Sequence, residues 1–171
     1  MRPVGDSLSS LSNRTGPRQG ERTLLETASQ VLVVEDDPVI ADLLKELLVG
    51  AGLRVQSAPD VIAALSLLER QAVDLITLDI ELGTYSGRSL LAFLKSDPRT
   101  RSIPVIVVSS SQVEPEVRRL AEHVLNKPFS IGPFLQLVGS SLRRSSPPAP
   151  AWHERSAGDS LQLAVAREIL E

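Results

Sequence analysis

Four short apolar runs in this chain each lead into residues able to handle a cation or a phosphoryl group. Val31-Leu32-Val33-Val34 ends in Glu35-Asp36-Asp37, and Leu75-Ile76-Thr77-Leu78 ends in Asp79. Val105-Ile106-Val107-Val108 ends in Ser109-Ser110, and Val124-Leu125 leads into Asn126-Lys127-Pro128. Runs this short and this rich in Val and Ile read as parallel strands covered on both faces. Ligands of an open α/β sheet bind just outside the carboxyl ends of its strands. Glu35, Asp36, Asp79, Ser109 and Lys127 are therefore expected at one rim, a set that suits a divalent cation and a phosphoryl group.

Crowding Glu35, Asp36 and Asp79 is electrostatically costly, and a cation or a proton must relieve it. Oxygen-only ligands suit a hard ion, and Mg²⁺ typically takes one or two protein carboxylates together with water and phosphate. Asp79 can act as a nucleophile once the charge of an incoming phosphoryl group is neutralised. Ser109 would donate to one phosphoryl oxygen and Lys127 would pair with another as a point charge. Each residue alone has a plainer reading. Asp36 or Asp37 before Pro38 could be a helix N-cap, Ser109 a strand-end hydroxyl, and Lys127 a solvated surface residue. Their joint occurrence after successive strands favours the functional reading, and Pro128 fixes the backbone from which Lys127 points.

The elements that must position these groups follow from periodicity. Asp37-Pro38 opens a helix carrying Ile40, Leu43, Leu44, Leu47 and Leu48, which Gly50 and Gly52 stop. A strand is expected around Arg54–Ser57, then a helix from about Pro59 to Arg70 with Ile62, Leu65 and Leu68 inward. A turn of small residues at 83–87 leads into a helix over Arg88–Ser96. Val113–Ala121 and Ser130–Arg144 complete five strand–helix units, hence an α/β parallel sheet with helices on both faces.

Flanking segments differ in composition. Residues 1–22 are Ser, Gly, Arg and Pro with few apolar positions, so a disordered segment is expected over 1–28. Ser145-Ser146-Pro147-Pro148 begins a Pro/Ser-rich linker over 145–157. Leu161, Val165 and Ile169 fall at helical spacing, predicting a short amphipathic tail helix over 158–171. The formal charge of the 171 residues is −3, no stretch mixes basic and aromatic residues, and cysteine is absent. Nucleic-acid binding has no electrostatic footprint, disulfides are excluded, and no run is long enough to span a bilayer. Met1–Gln30 has no signal-peptide core, so the expected setting is cytoplasmic, without membrane contact.

Over residues 29–144 the chain resembles the receiver domains of bacterial two-component response regulators, chemotaxis-regulator-like. Val33-Val34-Glu35-Asp36-Asp37-Pro38 is similar to that family's acidic-pair motif, and Leu78-Asp79-Ile80-Glu81-Leu82 with Gly87 to its phospho-acceptor loop. Ile103-Pro104 through Ser109-Ser110, and Asn126-Lys127-Pro128-Phe129, match its remaining two motifs. The resemblance implies a flavodoxin-like doubly wound sheet of order 2-1-3-4-5. It implies Mg²⁺ held by Glu35, Asp36, Asp79 and the backbone carbonyl of Glu81, with Asp79 as acceptor and Ser109 and Lys127 assisting. Implied partners are a histidine kinase or histidine phosphotransfer protein and a downstream protein, with the chain a monomer or weak dimer. The implied function is a single-domain regulator, not an enzyme beyond self-catalysed phosphotransfer and autodephosphorylation.

Three departures from the family pattern bear on switching. Gly83 replaces the usual proline four residues after the acceptor, predicting a more mobile loop. Val124, beside His123, replaces the usual aromatic residue three before the lysine. Ser109 and Lys127 are only 18 positions apart, so the fourth helix or its loop must be short. The alternative function is a phosphorylation-independent docking module; against it, a pure scaffold has no reason to keep mutually repelling carboxylates. A phosphohydrolase would need a further acid or base, for which Glu81 is the nearby candidate.

Overall fold

The computed structural model describes residues 28–83 and 85–144. Five strands and five helices alternate: β1 (Gln30–Val34), α1 (Pro38–Gly50), β2 (Arg54–Ala58), α2 (Val61–Arg70), β3 (Leu75–Asp79), α3 (Gly87–Ser96), β4 (Val105–Ser109), α4 (Pro115–Leu120), β5 (His123–Asn126) and α5 (Ile131–Arg144). All strand pairs are parallel, in the order β2-β1-β3-β4-β5. This is the flavodoxin-like arrangement expected.

Side-chain alternation divides the strand residues between two cores. Leu32, Val34, Ile76, Leu78, Val105 and Val107 pack with Leu65 and Leu68 of α2, Leu90 and Leu94 of α3 and Val117 of α4. Val31, Val33, Leu75, Ile106 and Val108 pack on the other face with Leu44 and Leu48 of α1 and Phe134 and Val138 of α5. Strands buried on both faces explain why the runs are continuously apolar rather than alternating.

The register brings the chemistry to one rim. Val34 pairs with Leu78, Asp79 with Val108 and Ser109 with Asn126. Glu35, Asp79, Ser109 and Lys127 thus sit at, or one residue beyond, the carboxyl ends of four adjacent strands. Lys127 follows the last residue of β5, and its N–H donates to the Ser109 carbonyl at 2.8 Å.

Helix phases differ in places from the expectation. Asp60 caps α2 by accepting from Ala63 N, so Val61, Ala64, Leu65 and Leu68 face inward and Ile62 is 40% exposed. In α1 the buried positions are Ala41, Leu44 and Leu48, while Leu43 lies on the solvent side. Asp37 is the N-cap of α1, accepting from Val39 N and Ile40 N. That leaves Asp36 without a capping duty there. Gly50 is still helical, and the chain turns at Gly52, whose φ of 83° is the left-handed conformation glycine adopts without strain.

The fourth helix is shorter than the expected 113–121. Pro115 occupies its first turn, Ala121 N–H closes on Val117 O, and Val113 is buried in the core ahead of it. Two residues later β5 begins, so the 18-position spacing is absorbed by a six-residue helix. The expected linker 145–157 and tail helix 158–171 lie outside the described residues, as does 1–27 of the expected disordered segment.

Candidate functional site

Asp79 ends β3 with its carboxylate almost wholly buried. Its Oδ1 accepts from Glu81 N at 2.9 Å, and its Oδ2 lies 2.6 Å from Lys127 Nζ. Glu35, buried just past β1, places Oε2 2.7 Å from the same ammonium, and its N–H is tied to Ala58 O at 3.1 Å. Lys127 therefore bridges the two buried carboxylates. It is the cation that their proximity demands.

Protonation follows from this geometry. Burial pushes the Glu35 carboxyl above its ordinary value; the hydrogen bond from Lys127 opposes that rise and the charge of Asp79 adds to it. Burial alone would lower Lys127, but its hydrogen bonds to Asp79 and Glu35, with their charges, carry it above the ordinary lysine value. The ammonium is thus held charged between its two partners at neutral pH.

Asp36 is exposed at the mouth, and its Oδ2 accepts from Gly83 N at 3.2 Å. Glu35, Asp36 and Asp79 each offer one carboxylate oxygen, all within 4.8 Å of one another. An oxygen-only donor set, open to water on the Asp36 side, fits a hard divalent ion such as Mg²⁺. Lys127 already neutralises part of the charge, which favours an exchangeable ion over a closed cage.

Ser109 ends β4 and is buried, its hydroxyl accepting from Ser111 N at 3.2 Å. The structure thus brings Glu35, Asp36, Asp79, Ser109 and Lys127 to one rim, with Glu81 at its edge. Gly87 opens α3 with its N–H on Ile80 O at 3.1 Å, packed against the backbone of Asp79 and Ile80. The Lys127–Pro128 peptide is cis.

Two participants are not evident from residue type alone. The Ser111 hydroxyl hydrogen-bonds the Glu81 carboxylate, and the run Ser109-Ser110-Ser111 does not say which hydroxyl faces where. The Gly83 amide, which donates to Asp36, is backbone and has no letter of its own. Val124, in the aromatic's place, packs half-buried against the first core, and His123 Nε2 lies 3.2 Å from Arg144 Nη2. Among the described residues no helix is long and apolar enough to cross a membrane.

Known proteins resemble this chain in sequence and fold. The chain is 30% identical over 116 residues to the polar-differentiation response regulator DivK of Brucella anthropi, covering 66% of this chain and 94% of that protein. It is 34% identical over 120 residues to the DNA-binding dual master transcriptional regulator RpaA of a Synechocystis species, covering 68% of this chain but only half of RpaA. Its fold matches the receiver domain of a sensor histidine kinase from Pseudomonas aeruginosa, solved with magnesium coordinated in its active site cleft. That match has a TM-score of 0.62 at 24% identity and covers 68% of this chain and 98% of the other. The response regulator receiver domain profile matches residues 31–138. With its sheet order matching as well, the chain belongs to the response regulator receiver domain family of two-component signalling.

Proposed function

We propose that this protein is a single-domain response regulator that accepts a phosphoryl group on Asp79 from a histidine kinase or histidine phosphotransfer protein. One observation carries the reading: Lys127 Nζ sits 2.6 Å from Asp79 Oδ2, beside Glu35 and Asp36, at the open end of the sheet. A carboxylate oxygen of Asp79 attacks phosphorus, the bond to the donor nitrogen breaks, and its electron pair leaves with the donor imidazole. Mg²⁺, held by Glu35, Asp36, Asp79 and the Glu81 carbonyl, would neutralise phosphoryl charge in this step. Lys127 transfers its hydrogen bond from Asp79 to a phosphoryl oxygen while Glu35 keeps it anchored. Ser109 turns its hydroxyl from the Ser111 amide toward another phosphoryl oxygen. Water attack on phosphorus breaks its bond to the Asp79 oxygen, releasing inorganic phosphate and returning the Asp79 carboxylate.

In this reading the output is a protein partner met at the face of α4, β5 and α5, with no nucleic acid or membrane involved. The setting is cytoplasmic and the chain a monomer or weak dimer.

The test is incubation with Mg²⁺ and acetyl phosphate followed by intact mass. One phosphoryl addition is expected, abolished by Asp79→Asn and by chelation. Undiminished labelling of Asp79→Asn would remove the reading. No labelling of the unmodified protein would favour the phosphorylation-independent docking module.

A further inference from the structure

Gly83 does something the family's usual proline cannot. Its amide N–H donates to Asp36 Oδ2 at 3.2 Å, across 47 positions of sequence. Asp36 is the exposed member of the three-carboxylate set, and Asp37 takes the capping of α1. No other hydrogen-bond donor to the Asp36 carboxylate is found among the described residues. A lone exposed carboxylate would otherwise sample several rotamers, and fixing it costs side-chain entropy. We infer that Gly83 is a positioning residue: its backbone N–H holds Asp36 facing Glu35 and Asp79 before any divalent cation arrives.

Hydrogen bonds that orient a ligating carboxylate typically change metal affinity by one to two orders of magnitude when removed. The bond uses one oxygen of Asp36 and leaves the other free to ligate. It also ties the segment leading into α1 to the loop that reaches Tyr85, packed on the first core, and Ser86, the N-cap of α3.

The inference rests on the magnesium site proposed above, and two variants separate it from that reading. Gly83→Pro deletes the donor. Gly83→Ala keeps it and adds a Cβ 3.7 Å from the same Asp36 oxygen, an ordinary contact, at a backbone outside the left-handed region. Calorimetric titration with MgCl₂ alone should show Gly83→Pro binding about tenfold more weakly, with Gly83→Ala retaining most of the affinity. Equal affinity in the two variants would overturn the inference while leaving the magnesium site standing. Absence of binding to the unmodified protein would sink the site itself, and the inference with it. Amide exchange at Gly83 without metal reads the bond directly and needs no folded proline variant. Asp36→Ala should speed that exchange about tenfold, and unchanged exchange would overturn the inference.

Discussion

Gly87 lies so close to Asp79 that a Cβ at position 87 would overlap the Asp79 carbonyl oxygen and come within 2.8 Å of Ile80 Cα. Backbone cannot yield as a side chain can. Gly87→Ala should therefore cost about 3 kcal/mol in urea unfolding, because the start of α3 must move off the end of β3. A cost below about 1 kcal/mol would show that the loop absorbs the methyl group and that the contact is not tight.

Lys127→Met should destabilise the protein by about 3 kcal/mol at neutral pH, since it leaves Glu35 and Asp79 buried without their cation. The sign of its pH dependence is diagnostic. Without the Lys127 bond that opposes burial, the folded Glu35 pKa rises further above its unfolded value. Stability of the variant should then recover as pH falls through that folded pKa, because the native state binds the extra proton. A variant whose deficit is the same at pH 7 and about pH 5 would contradict this account.

Thr77, on β3 between Val33 and Ile106, has a buried hydroxyl with no hydrogen-bond partner. Val has nearly the same shape and no polar atom. Thr77→Val should raise stability by about 1 kcal/mol, read as a higher midpoint of thermal or urea unfolding. A loss of stability would mean that the hydroxyl has a partner in solution.

Asp97 closes α3 and is held by Arg99 through Nη2 at 2.6 Å, Nε at 2.9 Å and the backbone N–H at 2.8 Å. Burial alone would raise this carboxyl, but the hydrogen bonds and charge of Arg99 outweigh it and hold it below the ordinary aspartate value. A lowered folded pKa contributes stability above the unfolded value and loses it as pH falls through the folded one. Comparing Asp97→Asn with the unmodified protein should show a gap of about 1 kcal/mol near neutrality, closing below about pH 3. A gap that persists in acid would assign the effect to shape rather than charge.

The sheet and its rim were legible because they depend on side-chain type. Apolar runs ending at Glu35, Asp79, Ser109 and Asn126 are direct signals of buried strands with polar carboxyl ends. Helix phase was less legible. In α2 the inward face was set by the Asp60 cap on Ala63 N, which placed Val61 rather than Ile62 against the core. In α4 the apolar Val113 suggested helix, yet it serves the core from the preceding loop. Least legible were groups that carry no letter of their own. The Gly83 amide that holds Asp36 is backbone, and the bridge from Lys127 to two carboxylates appears only when the folded sheet brings the ends of β1, β3 and β5 together.

Glu35 and Lys127 are joined across 92 positions of chain, and Asp79 and Lys127 across 48. No local segment contains the constellation. On a ribosome, Glu35 and Asp79 both emerge well before the residue that neutralises them, and the closure waits for the last strand. A chain with β5 undocked keeps its acidic residues but lacks the ammonium between them. Chemistry at Asp79 that depends on Lys127 is therefore confined to molecules whose whole sheet has formed.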